Sequence, residues 1–141
     1  MIAIDTNLLV YAHRSRTAEH PRARKAIERA AADEAGWGIA GASVTEFWAI
    51  ATHPASAGRP STPDQAAAFV RALVRAGAQI WLPGPGFADR LLQLAADLEV
   101  VGARVFDLQI ALAVFEGGAT DLWTHDRRFV KIPGLRLHDP L

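Results

Sequence analysis

Short apolar runs that fit a β-strand alternate along this chain with longer stretches that repeat at the helical period, and that alternation leaves few possible folds. Ile2 to Asp5 reads as a first strand, Trp37-Gly38-Ile39-Ala40 as a second and Gln79-Ile80-Trp81-Leu82-Pro83 as a third. Asp121-Leu122-Trp123-Thr124 makes a fourth, and Leu135-Arg136-Leu137-His138 a fifth after the Pro133-Gly134 turn. Asn7-Leu8-Leu9-Val10-Tyr11 leads from the first strand into a basic stretch, Arg14 to Lys25. His20 to Ala32 is expected as a helix with Pro21 at its first position and Ile27 on its buried face. Ser43-Val44-Thr45-Glu46 opens another, through Phe47, Ile50 and Ala51 to its stop at His53-Pro54. The segment Ala55 to Ser61, with Gly58 and Pro60, is the one clear loop. Thr62-Pro63-Asp64 caps the next helix, whose Phe69, Val70, Leu73 and Val74 keep the period up to Gly77. Phe87 to Leu98 is amphipathic, and about Val105 to Glu116 is so apolar beyond its first turn that the helix must be central. Arg127 to Val130 reads as a helical turn.

Strands separated by helices imply an α/β fold with a mostly parallel sheet covered on both faces. In such folds ligands bind beyond the carboxyl ends of the strands, where the chain order reverses. The length of 141 residues suits one domain, residues 1–141, burying roughly 68–70% of its unfolded surface. No apolar run approaches the ~20 residues of a membrane helix, so no membrane partner is expected and the cytoplasm is the expected location. The N-terminal segment is strand-like and carries a candidate site residue, which sets the expectation that no cleavable signal precedes it. Absence of cysteine excludes disulfides and thiolate metal sites. With a formal net charge of zero, any nucleic-acid binding has to rest on local charge.

Four carboxylates stand where an α/β sheet gathers its functional side chains. Asp5 ends the first strand, Asp126 follows the fourth, and Glu46 and Asp107 fall in the first turns of expected helices. Three have ordinary structural uses. Ser43-x-x-Glu46 fits a capping box, Asp107 complements a helix dipole, and Asp126 beside Arg127 and Arg128 fits a turn with local ion pairs. Asp5 is harder to place so, because a carboxylate continuing a buried strand is costly to desolvate unless paired or metal-bound. Together the four suggest a site for a divalent cation. Oxygen-only donors select hard cations, and acids brought close raise one another's pKa values unless a cation stands among them.

Ile4-Asp5-Thr6-Asn7-Leu8-Leu9-Val10-Tyr11 resembles the opening of a PIN-domain nuclease, and Val105-Phe106-Asp107-Leu108-Gln109-Ile110-Ala111 resembles its central Asp-x-x-Ile-Ala helix. Leu122-Trp123-Thr124-His125-Asp126-Arg127-Arg128-Phe129 is similar to the family's strand and Thr-x-Asp-x-x-Phe segment, and Glu46 falls at its second acidic position. The ending, from Phe129 through Pro133-Gly134-Leu135 to Asp139-Pro140-Leu141, resembles small bacterial toxins of the VapC type. The resemblance covers essentially the whole chain. It implies a three-layer α/β/α fold with roughly five strands in the order 3-2-1-4-5. It also implies an endoribonuclease that needs Mg²⁺ or Mn²⁺ and leaves 5′-phosphate and 3′-hydroxyl ends. A small cognate VapB-type antitoxin and a homodimer belong to the same expectation. Asp5 and Asp107 would be direct ligands, with Glu46 and Asp126 completing the cluster directly or through water. Thr6, Asn7 and Thr124 would hold those ligands in place from behind, although Thr6 and Asn7 equally fit as partners of backbone groups at the strand end. Phe106 departs from the polar residue common at that position and should alter the rim of the site more than its chemistry.

Other features carry less. His13, His20, His53, His125 and His138 show no His-x-x-x-His spacing for zinc, and no histidine pair is placed for metal-free ribonuclease chemistry. His125 reads better as a surface histidine than as a substrate contact. No Gly-x-x-x-x-Gly-Lys phosphate loop is present. Arg14, Arg16, Arg22, Arg24, Lys25 and Arg29 could guide an RNA backbone with Arg127, Arg128 and Lys131 across the mouth, but they equally fit a solvated helix face. Of these, Arg14, Arg16 and Arg127 are the candidate RNA contacts. Trp37, Trp48, Trp81 and Trp123 fit core positions better than base-stacking platforms. An aspartyl-phosphate phosphatase is disfavoured because Asn7 stands where such chemistry needs a second Asp. The remaining alternatives are a PIN nuclease that processes RNA outside a toxin system and a catalytically weak module that binds RNA or protein.

Overall fold

In the computed structural model, which describes residues 1–56 and 59–141, five strands form one sheet. They are β1 (Ile2–Ile4), β2 (Trp37–Ala40), β3 (Gln79–Trp81), β4 (Asp121–Trp123) and β5 (Arg136–His138). Their order is β3-β2-β1-β4-β5, and every neighbouring pair is parallel. Ile2 is in register with Trp37 on one side and with Asp121 on the other. Parallel neighbours need crossovers, and the helices supply them. These are α1 (Thr6–His13), α2 (His20–Ala31), α3 (Gly41–Thr52), α4 (Pro63–Arg75), α5 (Phe87–Asp97) and α6 (Arg104–Glu116). The expected sheet and strand order are borne out.

The two-residue period of β1 divides the interior. Ile2 and Ile4 point into a core shared with Leu8, Leu9, Ile27, Trp37, Ile39, Phe47 and Leu73, from α1 to α4. Ala3 points the other way, into a core with Trp81, Leu108, Ala111, Val114 and Leu122, closed by α5, α6 and the 129–135 segment. Leu8, Leu9, Leu108 and Leu122 are fully buried, and each such side chain stabilises the fold by about 1.5–3 kcal/mol. Close packing decides one small residue. A Cβ on Gly117 would stand 2.3 Å from the Trp81 ring, so only glycine lets the end of α6 approach that indole. Helix α3 borders both layers, with Phe47 and Ala51 in the first core and Ala42 against the second. That position turns its remaining face toward α6.

Several local expectations are met. Thr62 caps α4 in a capping box with Gln65, and α6 is buried from Leu108 through Val114 apart from Gln109. Others change. Asn7–Tyr11, for which the sequence suggests no element, is the middle of α1; its mean environment is so buried that no polar face marks a period. Helix α3 starts at Gly41, so Glu46 sits in its second turn and is not a cap. Ala40 is the N-cap without a side-chain bond, and the Ser43 hydroxyl is buried without a partner among the described residues, so the Ser43–Glu46 capping box does not form. Where a helical turn over Arg127 to Val130 is expected there is a single turn over residues 126–129, held by Phe129 N–H donating to the Asp126 carbonyl at 3.2 Å. Strand β3 stops at Trp81, leaving Leu82 exposed. Trp37 and Trp81 are core residues, but Trp48 is exposed and Trp123 half-buried beneath the Arg29 guanidinium. Gly58 of the expected loop lies outside the described residues.

Candidate active site

The order of the sheet reverses at β1, whose neighbours β2 and β4 lead to the two halves of the chain. Asp5 leaves β1 there, and Thr124 leaves β4 beside it. Asp5 is only 5% exposed and is the N-cap of α1, its Oδ1 accepting from Thr6 N–H at 2.8 Å. Its Oδ2 accepts from the Asn7 side-chain amide at 2.9 Å and from the Thr124 hydroxyl at 2.7 Å. Asn7 also donates to Thr124 Oγ1, and its Oδ1 accepts from His125 N–H. These bonds tie the ends of β1 and β4 together around one carboxylate. Oδ2 has two donors and so uses both in-plane lone pairs, whereas Oδ1 has one donor and retains a lone pair.

Burial nevertheless dominates. It pushes the Asp5 carboxyl from its ordinary 3.8 to about 6, against the lowering effect of Thr124 and Thr6, and the charges of Glu46 and Asp107 push it further the same way. Glu46 on α3 is exposed at the rim of the site, yet its carboxyl is raised by the desolvation it does undergo and then by Asp107. Asp107, in the first turn of α6, is raised by burial and by Asp126, with Arg104 and the Val130 N–H acting in the opposite direction. Asp5, Glu46 and Asp107 therefore feel one another's charge across the sheet's carboxyl edge, and Asp126 acts on Asp107. Glu46 and Asp107 line one wide cleft of about 630 Å³ between α3 and α6, with Ala42, Thr45, Ala103, Phe106, Gln109 and Ile110. Asp126 is partly committed locally, because its Oδ1 accepts from Arg128 N–H at 2.8 Å and its own N–H donates to Thr124 Oγ1. The turn role expected for Asp126 is real and coexists with its place near Asp107.

Does this donor set fit a divalent cation? The donors are all carboxylate oxygens, the residue types a hard cation takes. The carboxylates raise one another's pKa values, which is the electrostatic situation a cation relieves. Among the described residues no three acids or histidines stand close enough to surround one ion by themselves. A small hard cation takes one or two carboxylates and fills its other positions with water and substrate phosphate. The residues fit such a group.

Thr6, Asn7 and Thr124 all touch the Asp5 network, although the Thr6 hydroxyl itself is buried without a partner among the described residues. Arg14 does not reach the cleft; it bonds the Ile50 carbonyl and the Ser56 hydroxyl. Arg14 and Arg16 line a separate cavity of about 480 Å³ with His13, Arg59 and Ser61. Arg24 pairs with Glu28 at 3.7 Å and Arg29 lies over Trp123, so part of the basic stretch is structural. Arg127 stands near Asp139, whose carboxyl is held low by His125 and Arg127 despite the opposing effect of burial. His125 is not a free surface histidine: its Nδ1 pairs with the Asp139 carboxylate at 2.9 Å and its ring meets Tyr11 edge-on. Arg104 was not singled out by the sequence; as the first residue of α6, three before Asp107, it could have been flagged as the cation nearest the central acid.

The profile of the PIN domain family matches residues 2–135. A VapC ribonuclease of Mycobacterium bovis is 34% identical over the whole chain and 96% of its own length, as is ribonuclease VapC43 of Mycobacterium tuberculosis. Among solved structures, the Mycobacterium tuberculosis toxin VapC20, described as cleaving the sarcin–ricin loop, superposes with a TM-score of 0.69 at 12% identity, covering 92% of each chain. VapBC2 from Rickettsia felis, bound to a fragment of its promoter DNA, superposes at 0.67 and 20% identity over 98% of each chain.

Proposed function

The chain belongs to the PIN-domain family, among its VapC ribonucleases, and on that premise we propose that it is a divalent-metal-dependent endoribonuclease and the toxin of a VapBC-type pair. The observation that carries the reading is the convergence of Asp5, Glu46 and Asp107 at the switch point of the sheet, each raised by burial and by another acid. Mg²⁺ or Mn²⁺ held there would neutralise charge on the scissile phosphate and acidify an attacking water. Asp5, through the free lone pair of Oδ1, and Asp107 are the direct ligands; Glu46 and Asp126 act directly or through water. Thr124 and Asn7 fix the Asp5 carboxylate, and Thr6 anchors its other oxygen through the backbone. Hydrolysis with the 3′ oxygen as leaving group yields 5′-phosphate and 3′-hydroxyl ends. Arg16 and Arg127 are contacts for the RNA backbone, with Arg14 positioning the loop that presents Arg16.

Full-length protein, freed of any copurifying antitoxin, is assayed on RNA with Mg²⁺ or Mn²⁺, with EDTA, and as Asp5→Asn and Asp107→Asn. Cleavage in metal alone, leaving ends that a kinase labels only after phosphatase treatment, is expected. Cleavage that survives EDTA or either substitution refutes the metal mechanism. The antitoxin role is supported by relatives solved as VapBC complexes. It is tested by coexpression with a small neighbouring reading frame, which should suppress cleavage and copurify. We also propose a homodimer, read by light scattering, and action in the cytoplasm; no helix among the described residues is long and apolar enough to cross a membrane.

A further inference from the structure

The cleft that holds Glu46 and Asp107 has an aromatic wall that the chemistry of the acids does not use. Phe106 precedes Asp107 on α6, is 61% exposed and lines that same cleft. Among the described residues, ring contacts join Tyr11, His13, Phe47, Phe69, Trp123, His125 and His138, and Phe106 takes part in none of them. A bare phenyl face beside a carboxylate cluster has no packing purpose, since α6 buries its opposite side from Leu108 to Val114. Gln109, one turn further along α6, and Thr45 on α3 bring an amide and a hydroxyl to the same space. Arg104, two residues before Phe106 on α6, is near enough to lower the Asp107 pKa and lines another cavity with Glu99 and Lys131. An apolar plane with polar edges, and one cation close to Asp107, together match an unpaired nucleotide: a π-face, a hydrogen-bonding edge and a phosphate.

We propose that the α3–α6 cleft is a nucleobase site in which Phe106 stacks one unpaired base of a single-stranded RNA next to the bond being cut. The proposal rests on the ribonuclease reading and narrows it, because a base that must lie flat on Phe106 has to leave any helix. Phe106 is a positioning residue: it sets where the strand lies relative to Asp107 and takes no part in bond breaking. Base–aromatic stacking changes affinity by roughly 5- to 150-fold per base.

The test uses full-length protein carrying Asp5→Asn, so that RNA stays intact, and fluorescence anisotropy with a labelled, unstructured RNA oligonucleotide. The same oligonucleotide is also made with an abasic residue at each position in turn. One abasic position should weaken binding about 5- to 150-fold, and Phe106→Ala should weaken the intact RNA by the same factor while abolishing that position's penalty. Phe106→Trp should restore both, and Phe106→Leu should restore neither. Circular dichroism spectra of the variants should coincide. In the otherwise wild-type protein, Phe106→Ala should raise KM for single-stranded RNA with a smaller change in kcat. An abasic penalty that persists in Phe106→Ala, or a Leu that serves as well as Trp, overturns the inference while leaving the nuclease intact. An effect of Phe106→Ala confined to affinity for the antitoxin assigns the face to a protein and likewise overturns it. Absence of both RNA binding and wild-type cleavage overturns the ribonuclease reading and this inference together.

Discussion

Asp5→Asn should make the metal-free protein more stable at neutral pH while removing its activity. The native carboxyl has a pKa of about 6 against an ordinary 3.8. Between those two values the folded chain binds more protons than the unfolded one, so its stability falls as pH rises. The penalty is absent below about pH 4 and complete above about pH 6 to 7. The gap between 3.8 and about 6 corresponds to about 3 kcal/mol at 1.36 kcal/mol per pKa unit. Asparagine does not titrate, so comparing variant with wild type cancels nearly every other group. Asparagine does set its Nδ2 against the Asn7 amide or the Thr6 N–H, and that mismatch adds an offset common to all pH values. The slope carries the argument. For a chain of this size about 3 kcal/mol is about 12 °C in Tm. The Tm of Asp5→Asn minus that of wild type, measured by calorimetry in EDTA, should rise by that amount from pH 4 to pH 7. At pH 7, Mg²⁺ at 100 times its Kd should then recover about 2.7 kcal/mol for wild type and far less for the variant. Parallel pH curves for the two proteins, or equal stabilisation of both by Mg²⁺, would refute the account of Asp5 as a desolvated carboxylate awaiting a cation.

Thr124→Val removes a donor to Asp5 and an acceptor for Asn7 and Asp126. It should cost about 1–3 kcal/mol in urea unfolding and, because Thr124 lowers the Asp5 pKa, move the acid limb of the pH–rate profile upward. Thr62→Ala breaks the capping box of α4 and should cost about 1 kcal/mol, with RNA cleavage unchanged. Gly117→Ala drives a methyl into the Trp81 ring and should cost about 1–3 kcal/mol, with a change in tryptophan fluorescence; a silent substitution would show that α6 and Trp81 are loosely packed.

Where structure depends on a few neighbouring residues, it is legible in the chain itself. Thr62, Pro63 and Gln65 announce the start of α4, and the strands emerge from apolar runs flanked by helical periods. The acids were visible as candidates because a carboxylate after a buried strand has few inexpensive explanations. The same local rules misplace Glu46. Ser-x-x-Glu is the pattern of a capping box, but Ala40 ends β2 in extended geometry and the helix begins directly at Gly41, carrying Glu46 into the second turn and toward α6. They also pass over α1, since Leu8, Leu9, Val10 and Ala12 are all buried and leave no polar stripe to reveal a period. Trp48 looks like core for the matching reason: Phe47 and Ala51 on α3 face inward, and Trp48, like Ile50, does not.

The sequence by itself determined the α/β alternation, the parallel sheet and the set of four acids, because strand period, helix capping and side-chain chemistry act over a few residues. Only the tertiary structure decided what those acids are to one another. Asp5 and Thr124 are 119 positions apart and hydrogen-bonded, and the pKa of Asp5 is set by burial that no single segment provides. Desolvation and long-range charge are properties of the closed sheet. They arise only when β1 and β4 lie side by side and α3 is pressed against α6.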